Sequence, residues 1–353
     1  MILGISPAGG DGKPLALTMG EPSGVGGEIT LKAWLRREEG LPAFFVIDDP
    51  ERLEKLAASL GFRAPVKAIS APQETAAVFP ESLPVLPLAG SVQATTGEPD
   101  PANAAAVLSS IEAAVGLVRS SHALALVTNP IQKQSLYEAG FAFPGHTEFL
   151  ESLAGDKSTA VMMLACPELR VVPLSIHVSL AEAVGALNAK DIIHKAVITA
   201  DALKNDFGAA APRLAVAGLN PHAGEGGAMG AEEQTIIAPA VKELRRMGVD
   251  AFGPEPPDTM FDARARKNYD AALCMYHDQA LIPIKTIAFD HAVNVTLGLP
   301  FVRTSPDHGT ALDIAGTGKA GETSLMAALK MAAQMAGRRG ACQKILDKNR
   351  SIH

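Results

Sequence analysis

LRVVPLSIH, at residues 169–177, is a short aliphatic and β-branched run that gives out at a histidine, and the design returns in RLAVAGLNPH at 213–222 and AALCMYH at 271–277. Runs of this length and composition, punctuated by Pro, Gly and Asn, read as buried strands. Outward from them, LALTM at 15–19, AFFVI at 43–47 and ALALVT at 123–128 are further β-rich runs, alternating with longer Ala-, Leu- and Glu-rich stretches. Helices are expected over 101–120, 179–203, 230–247 and 322–337, several opened by Ser, Pro or Glu where a helix should begin. Alternation of this kind builds βαβ units, so the fold class is α/β with mostly parallel sheets. Ligands of open parallel sheets bind beyond the carboxyl ends of the strands. His177, His222 and His277 stand at that end of their runs, where three imidazoles could share one divalent ion. Any one of them alone reads as a satisfied structural histidine; their equivalent placement is what points to a metal-assisted enzyme.

The 353 residues suit two domains, and 47 % hydrophobic residues can furnish a core for each. A break near Asn129-Pro130 and a return near Pro300 would make the first domain discontinuous, 1–130 with 300–353, around a second at 131–299. The net charge of −7 argues against nucleic acid and anionic membranes as partners, while leaving room for a small anionic substrate in a local cationic pocket. Cys166, Cys274 and Cys342 are odd in number and widely spaced, which disfavours disulfides and a thiolate zinc site. The opening MILGISPAGGDGKP lacks the basic and apolar regions of a signal peptide, and no run is expected to span a bilayer. A soluble cytoplasmic protein is the expectation.

Several motifs carry chemistry. GEPSGVGGEIT, at 20–30, could offer backbone N–H groups to an anion or simply turn tightly from strand to helix. PGHTEFLESLA puts His146 and Thr147 at a helix start, where Thr147 can cap and both can meet an anion. Lys285, Asn294 and Arg303 are polar groups among apolar neighbours; solvated or snorkelling side chains are the default for such cations, and a substrate phosphate or carboxylate is the functional alternative. DHGTALDIAGTGKAG, at 307–321, spaces Gly316, Gly318 and Gly321 as G-x-G-x-x-G without the long strand or the distant acid of a dinucleotide fingerprint. It can still cradle a nucleotide ahead of a helix starting near Glu322. Asp258, in PEPPDTMF, and Asp278, beside His277, are candidate proton acceptors, with surface or ligand-orienting roles as alternatives.

Together TMGEPSGVGGEIT, VTNPIQK, PGHTEFL, NPHAGEGGAMGAEE, MYHDQALIPIK and RTSPDHGTALDIAGTGKA resemble, in order and from about residue 14 to the C-terminal helix, the 4-hydroxythreonine-4-phosphate dehydrogenases of pyridoxal phosphate biosynthesis. The last motif also resembles the nucleotide loop of isocitrate and isopropylmalate dehydrogenases. The resemblance implies their fold, two α/β domains around a cleft, and a homodimer with the active site at its interface. It implies one divalent metal (zinc, cobalt, magnesium or manganese) on His177, His222 and His277, and substrate contacts from His146, Thr147, Lys285, Asn294 and Arg303. Lys285 is also a catalytic candidate beside Asp258 and Asp278. The cofactor, NAD or NADP, would lie against Gly309, Asp313, Gly316 and Gly318. The implied reaction oxidises 4-phosphooxy-L-threonine at C3 and decarboxylates the product to 3-amino-2-oxopropyl phosphate. Dehydrogenation of 4-phospho-D-threonate or 4-phospho-D-erythronate, phosphate acyl transfer, and non-catalytic sensing of a phosphorylated ligand are the alternatives. The chain departs from the family at Glu21 and Gly27, where Asp and Pro are expected, and at Pro306, where an aliphatic residue is usual.

Overall fold

The computed structural model of the chain describes residues 12–143, 145–155 and 158–350, with side chains as far as Cys342. The N-terminal stretch through residue 11, read above for a targeting signal, and Pro144 of the PGHTEFL motif lie outside the described residues. The strands in chain order are β1 (Leu15–Thr18), β2 (Phe44–Asp48), β3 (Val66–Ala68), β4 (Leu83–Pro87), β5 (Leu126–Val127), β6 (Val161–Ala165), β7 (Arg170–Pro173), β8 (Arg213–Ala217), β9 (Asp250–Glu255), β10 (Ala271–Cys274), β11 (Val293–Leu297) and β12 (Arg303–Pro306). The chain divides into two compact units, Met1–Ser158 with Leu299–His353, and Thr159–Gly298. The opening segment of the first unit runs past the expected break at Asn129-Pro130, because the helix His146–Ala154 packs on the helix Ala104–Arg119 of the same unit.

In the first unit the strand order is β3-β4-β2-β1-β5-β12, every pairing parallel. β1 and β2 are buried along their whole length, as strands covered on both faces must be, which is why they read as unbroken apolar runs. The second unit is mixed, β11-β6-β7-β10-β8-β9. β6 pairs antiparallel with both β11 and β7, and the remaining pairs are parallel. Its core is built from Leu164, Val171, Ala215, Ala272, Cys274 and Ile284.

The expected helices appear with internal punctuation. The 179–203 stretch is two helices, Leu180–Gly185 under a Ser179/Glu182 capping box and Ala189–Asn205 capped by Asn188. Within 230–247 a π turn, Glu233–Ile237, precedes the helix Ala238–Arg246, and the last helix runs Thr323–Arg350. Among the described residues one helix, Pro101–Arg119, is long and apolar enough by length and composition alone to cross a bilayer. Val107, Ile111, Ala114 and Val115 of this helix are buried, and it packs on β1 and β2, so its apolarity serves the core.

The loop GEPSGVGGEIT is buried from end to end, and its glycines serve close packing, not an anion. Gly20 takes φ +71°, with Asn129 Cβ and the Pro130 carbonyl 2.6 Å from where a Cβ would sit. Gly27, where proline was expected, has a specific reason. A Cβ there would lie 2.8 Å from Leu56 Cδ2 and 3.2 and 3.3 Å from the guanidinium nitrogens of Arg52. That guanidinium is pinned in a buried pair with Asp48 and donates to the Pro22 carbonyl at 3.1 Å, so it has nowhere to retreat. Gly27→Ala should therefore destabilise the protein by roughly 1–3 kcal/mol through overpacking, against the gain of about 1 kcal/mol that Gly-to-Ala gives in an unobstructed helix. Equilibrium denaturation decides, and a variant as stable as the parent would remove this account of the glycine.

Pro306 closes β12, a position where a missing backbone N–H interrupts little. The three cysteines are free, Cys166 and Cys274 among buried neighbours.

Candidate active site

β7, β10 and β8 are consecutive parallel neighbours in the second unit, and each is followed by one of the three histidines. His177 follows β7 on an exposed stretch, His277 opens the helix His277–Ala288 after β10, and His222 lies in the turn Pro221–Gly227 after β8. The rings of His177 and His277 are 6.4 Å apart, centroid to centroid, and share a recess of about 240 Å³ with Ser175, Tyr276 and Asp278. Asp278 Oδ1 sits 2.7 Å from His277 Nδ1. A proton held between those two atoms leaves Nε2 as the bare lone pair, the form in which imidazole binds metal. His222 has a looser counterpart: its Nδ1 is 3.9 Å from Asp258 Oδ2.

The His222 turn has an unusual backbone, with left-handed φ from His222 (51°) through Ala223 (52°) to Glu225 (42°). Such residues need outside support. It comes from Glu233, whose Oε1 accepts from the backbone N–H groups of Leu219 (2.8 Å) and Asn220 (2.7 Å). Burial alone would raise this carboxyl, but the Asn220 and Leu219 hydrogen bonds hold it below the ordinary range. Within a single chain the triad is incomplete: among the described residues no three His, Cys, Asp or Glu side chains gather closely enough to hold a metal ion. His177 and His277 come together, and His222 is not brought to them. The donor chemistry nonetheless fits a divalent metal of the zinc or cobalt type, since the two gathered groups are imidazoles and one has its tautomer set by a carboxylate.

The first unit assembles a cationic site. Arg303, the first residue of β12, is 4 % exposed and donates from Nη2 and Nε to Thr128 Oγ1 at 2.7 and 3.2 Å. Desolvation lowers its pKa to about 10, still leaving it charged at neutral pH. His146 begins the helix His146–Ala154, whose N-cap is Gly145 without a side-chain cap, so the expected capping role of Thr147 is not realised. Thr147, half-buried, lies one residue into that helix. His146 Nε2 is buried with no hydrogen-bond partner, and burial, with Arg303 and Lys133 nearby, holds its pKa well below the ordinary imidazole range. His146 is therefore a neutral buried imidazole beside two cations.

That depression has a pH consequence. Above the unfolded-state pKa of about 6.5 both states are neutral at this residue, and its stability contribution is intact. As pH falls from there towards the depressed native value the unfolded state takes the proton first, and stability is lost. The melting temperature of the parent should therefore fall more steeply than that of His146→Gln between pH 6.5 and 5, and parallel profiles would show that His146 is not buried neutral.

Lys285 lies on the helix His277–Ala288 with Nζ 5.8 Å from the Phe289 ring, and Asn294 is a half-buried residue of β11. After β12 the segment carrying Gly309, Asp313, Gly316 and Gly318 runs as turns to the helix at Thr323, with Asp313 exposed and Gly316 and Gly318 at φ +70° and +74°. A Cβ on Gly316 would meet Thr96 Cγ2 at 2.6 Å, whereas one on Gly318 would meet only Leu60, at 3.9 Å.

A family model, that of the pyridoxal phosphate biosynthetic protein PdxA, matches residues 41–332. The chain belongs to the PdxA family. The 4-hydroxythreonine-4-phosphate dehydrogenase of Bradyrhizobium diazoefficiens is 56 % identical over 336 residues, covering 92 % of this chain and 97 % of the relative. That of Caulobacter vibrioides is 53 % identical over 93 % of this chain and 99 % of its own length. The crystal structure of the Klebsiella pneumoniae 4-hydroxythreonine-4-phosphate dehydrogenase superposes with a TM-score of 0.81 at 36 % identity, covering 92 % of this chain and 98 % of that one.

Membership makes this PdxA chain an oxidoreductase of pyridoxal phosphate biosynthesis using a nicotinamide cofactor. Three residues near its sites escaped the sequence reading. Glu233 ends the quoted motif NPHAGEGGAMGAEE, yet nothing in its spacing says that it folds back on Leu219 and Asn220. Thr128 and Lys133 lie within VTNPIQK, where only the fold could bring them to Arg303 and His146.

Proposed function

We propose that this PdxA chain oxidises 4-phosphooxy-L-threonine at C3 with NAD or NADP and decarboxylates the resulting β-keto acid to 3-amino-2-oxopropyl phosphate. The observation that carries the reading is the placement of His177, His222 and His277 beyond three adjacent parallel strands, with Asp278 on Nδ1 of His277. These imidazoles hold one divalent cation, which when bound supplies positive charge at the substrate hydroxyl and ketone. A nicotinamide bound there would supply the acceptor for the C3 hydrogen and its electron pair. Asp278 and Asp258, each next to an imidazole nitrogen, keep the ligand rings in the binding tautomer and orientation. That assignment leaves Lys285 as the group to take the hydroxyl proton during oxidation and to return a proton to carbon once the carboxylate has left.

Arg303 and His146, with Thr147 at the helix start, take anionic oxygens of the substrate; Lys285 and Asn294 make the remaining contacts. The loop with Gly309, Asp313, Gly316 and Gly318 lies against the adenosine portion of the cofactor. The working form is a homodimer in which one subunit completes the ligand set of the other. Two features support it: the incomplete triad in one chain, and Val178, Leu180, Ile282 and Phe289, all exposed and all on the two segments that carry His177 and His277. Reduced, partly buried thiols suit a cytoplasmic location.

Metal-reconstituted protein assayed anaerobically with 4-phosphooxy-L-threonine, 4-phospho-D-threonate and 4-phospho-D-erythronate, following reduced nicotinamide, tests the proposal. Turnover of the first above the other two is expected. Preference for either sugar acid would overturn the substrate, and no reduction of cofactor with any of them would overturn the activity.

A further inference from the structure

The helix Gly26–Leu35 carries Glu28 and Lys32, with Arg36 at its C-cap, at spacings of four along one side. That side meets a segment almost three hundred residues away. Glu28, fully buried, accepts from Gly316 N at 3.1 Å through one carboxylate oxygen and from Ala320 N at 3.0 Å through the other. Lys32 Nζ donates to the carbonyls of Gly318 and Ala320, both at 2.6 Å, and lies 3.3 Å from Glu28. Arg36 closes the series on Glu322 at 2.7 Å.

A buried carboxylate is tolerated only when its oxygens are hydrogen-bonded and its charge is balanced. Glu28 meets both conditions, and the groups that satisfy it are backbone groups of the glycine-rich loop. The loop is thereby held at defined points, Gly316, Gly318 and Ala320, with two glycines in left-handed conformations that a free segment would leave in exchange with others. On either side of the clamped points the segment stays open: a Cβ on Gly309 or Gly321 meets nothing within 4 Å, and Asp313 is exposed.

We propose that Glu28 is a positioning residue for the nicotinamide cofactor. It acts through the loop, with Lys32 as its partner, by fixing Gly316–Ala320 in the cofactor-accepting conformation before the cofactor arrives. This rests on the reading of that loop as the cofactor's adenosine site. Glu28→Gln keeps the shape, but its single carboxamide oxygen can accept from one of the two N–H groups only, and its NH2 faces the other. The variant should raise the calorimetric Kd and the KM for NAD by roughly tenfold or more, the order expected for loss of a charge-assisted hydrogen bond. The KM for the phosphorylated substrate and the metal content should stay within twofold of the parent. Lys32→Met, on a partly exposed side chain, should shift NAD in the same direction by less, and Lys32→Arg should restore it.

If Glu28→Gln does not fold, Lys32→Met alone decides. A lowered melting temperature with NAD affinity unchanged in both variants would overturn the proposal and leave the clamp as structural. Gly318→Val, placed on the loop itself where a side chain has room but the left-handed φ strains the backbone, separates the two readings. If it too leaves NAD affinity unchanged, the loop is not the cofactor site; if it alone weakens NAD, the loop reading stands and only the positioning role of Glu28 falls.

Discussion

His277→Ala should lower kcat/KM by about three orders of magnitude or more while leaving the melting temperature nearly where it was. A divalent ion contributes several kcal/mol of charge stabilisation at a developing oxyanion, and each 1.4 kcal/mol is a factor of ten in rate. Stability is spared because the His277 side chain is 37 % exposed and stands outside the apolar core of its unit. His177→Ala and His222→Ala should match it, and addition of a chelator to the parent should reproduce all three. Asp278→Asn gives a graded control. It keeps a hydrogen-bonding group near Nδ1 but weakens the hold on the tautomer, so a loss of roughly ten- to a hundredfold in metal affinity or activity is expected. Elemental analysis beside the kinetics decides. If the three alanine variants retain one metal per subunit as the parent does, the ligand assignment is wrong.

The ends of the three strands were legible in the sequence because burial on both faces writes an unbroken apolar run, and the run stops where the strand leaves the sheet. The same rule exposed β1 and β2. Local signals also mark the punctuation of the helices: Ser179 with Glu182, and Asn188, start two helices inside the one amphipathic stretch 179–203. What could not be read was any partnership between distant residues. Glycines that hug a ligand and glycines that hug Asn129 or Arg52 look alike in GEPSGVGGEIT, and only the fold shows that the loop is interior. Nor does an acid directly after a glycine pair, Glu28 behind Gly26 and Gly27, announce that it will hold Gly316 and Ala320. Thr147 failed as a cap for a smaller reason: the cap falls two residues earlier, at Gly145, where no side chain is available.

Arg303→Met should separate binding from stability. The guanidinium is buried on β12, and loss of solvent pushes its pKa down to about 10, so burying its charge carries a desolvation cost in the free protein. Methionine fills comparable space without charge and adapts to irregular surroundings. Its substitution should therefore leave the melting temperature equal to or above that of the parent, although Thr128 Oγ1 loses a donor. Substrate binding should move the other way. A desolvated cation facing a phosphate or carboxylate makes charge-assisted hydrogen bonds of about 1.5–3 kcal/mol, so affinity should fall by roughly ten- to more than a hundredfold. NAD affinity, measured by calorimetry without substrate, should be unchanged. A buried charge retained at a cost to folding is the mark of a residue kept for its ligand. Should Arg303→Met instead melt well below the parent and bind substrate as tightly, the arginine would be a structural strut between β12 and Thr128, and the anion would have to be held elsewhere.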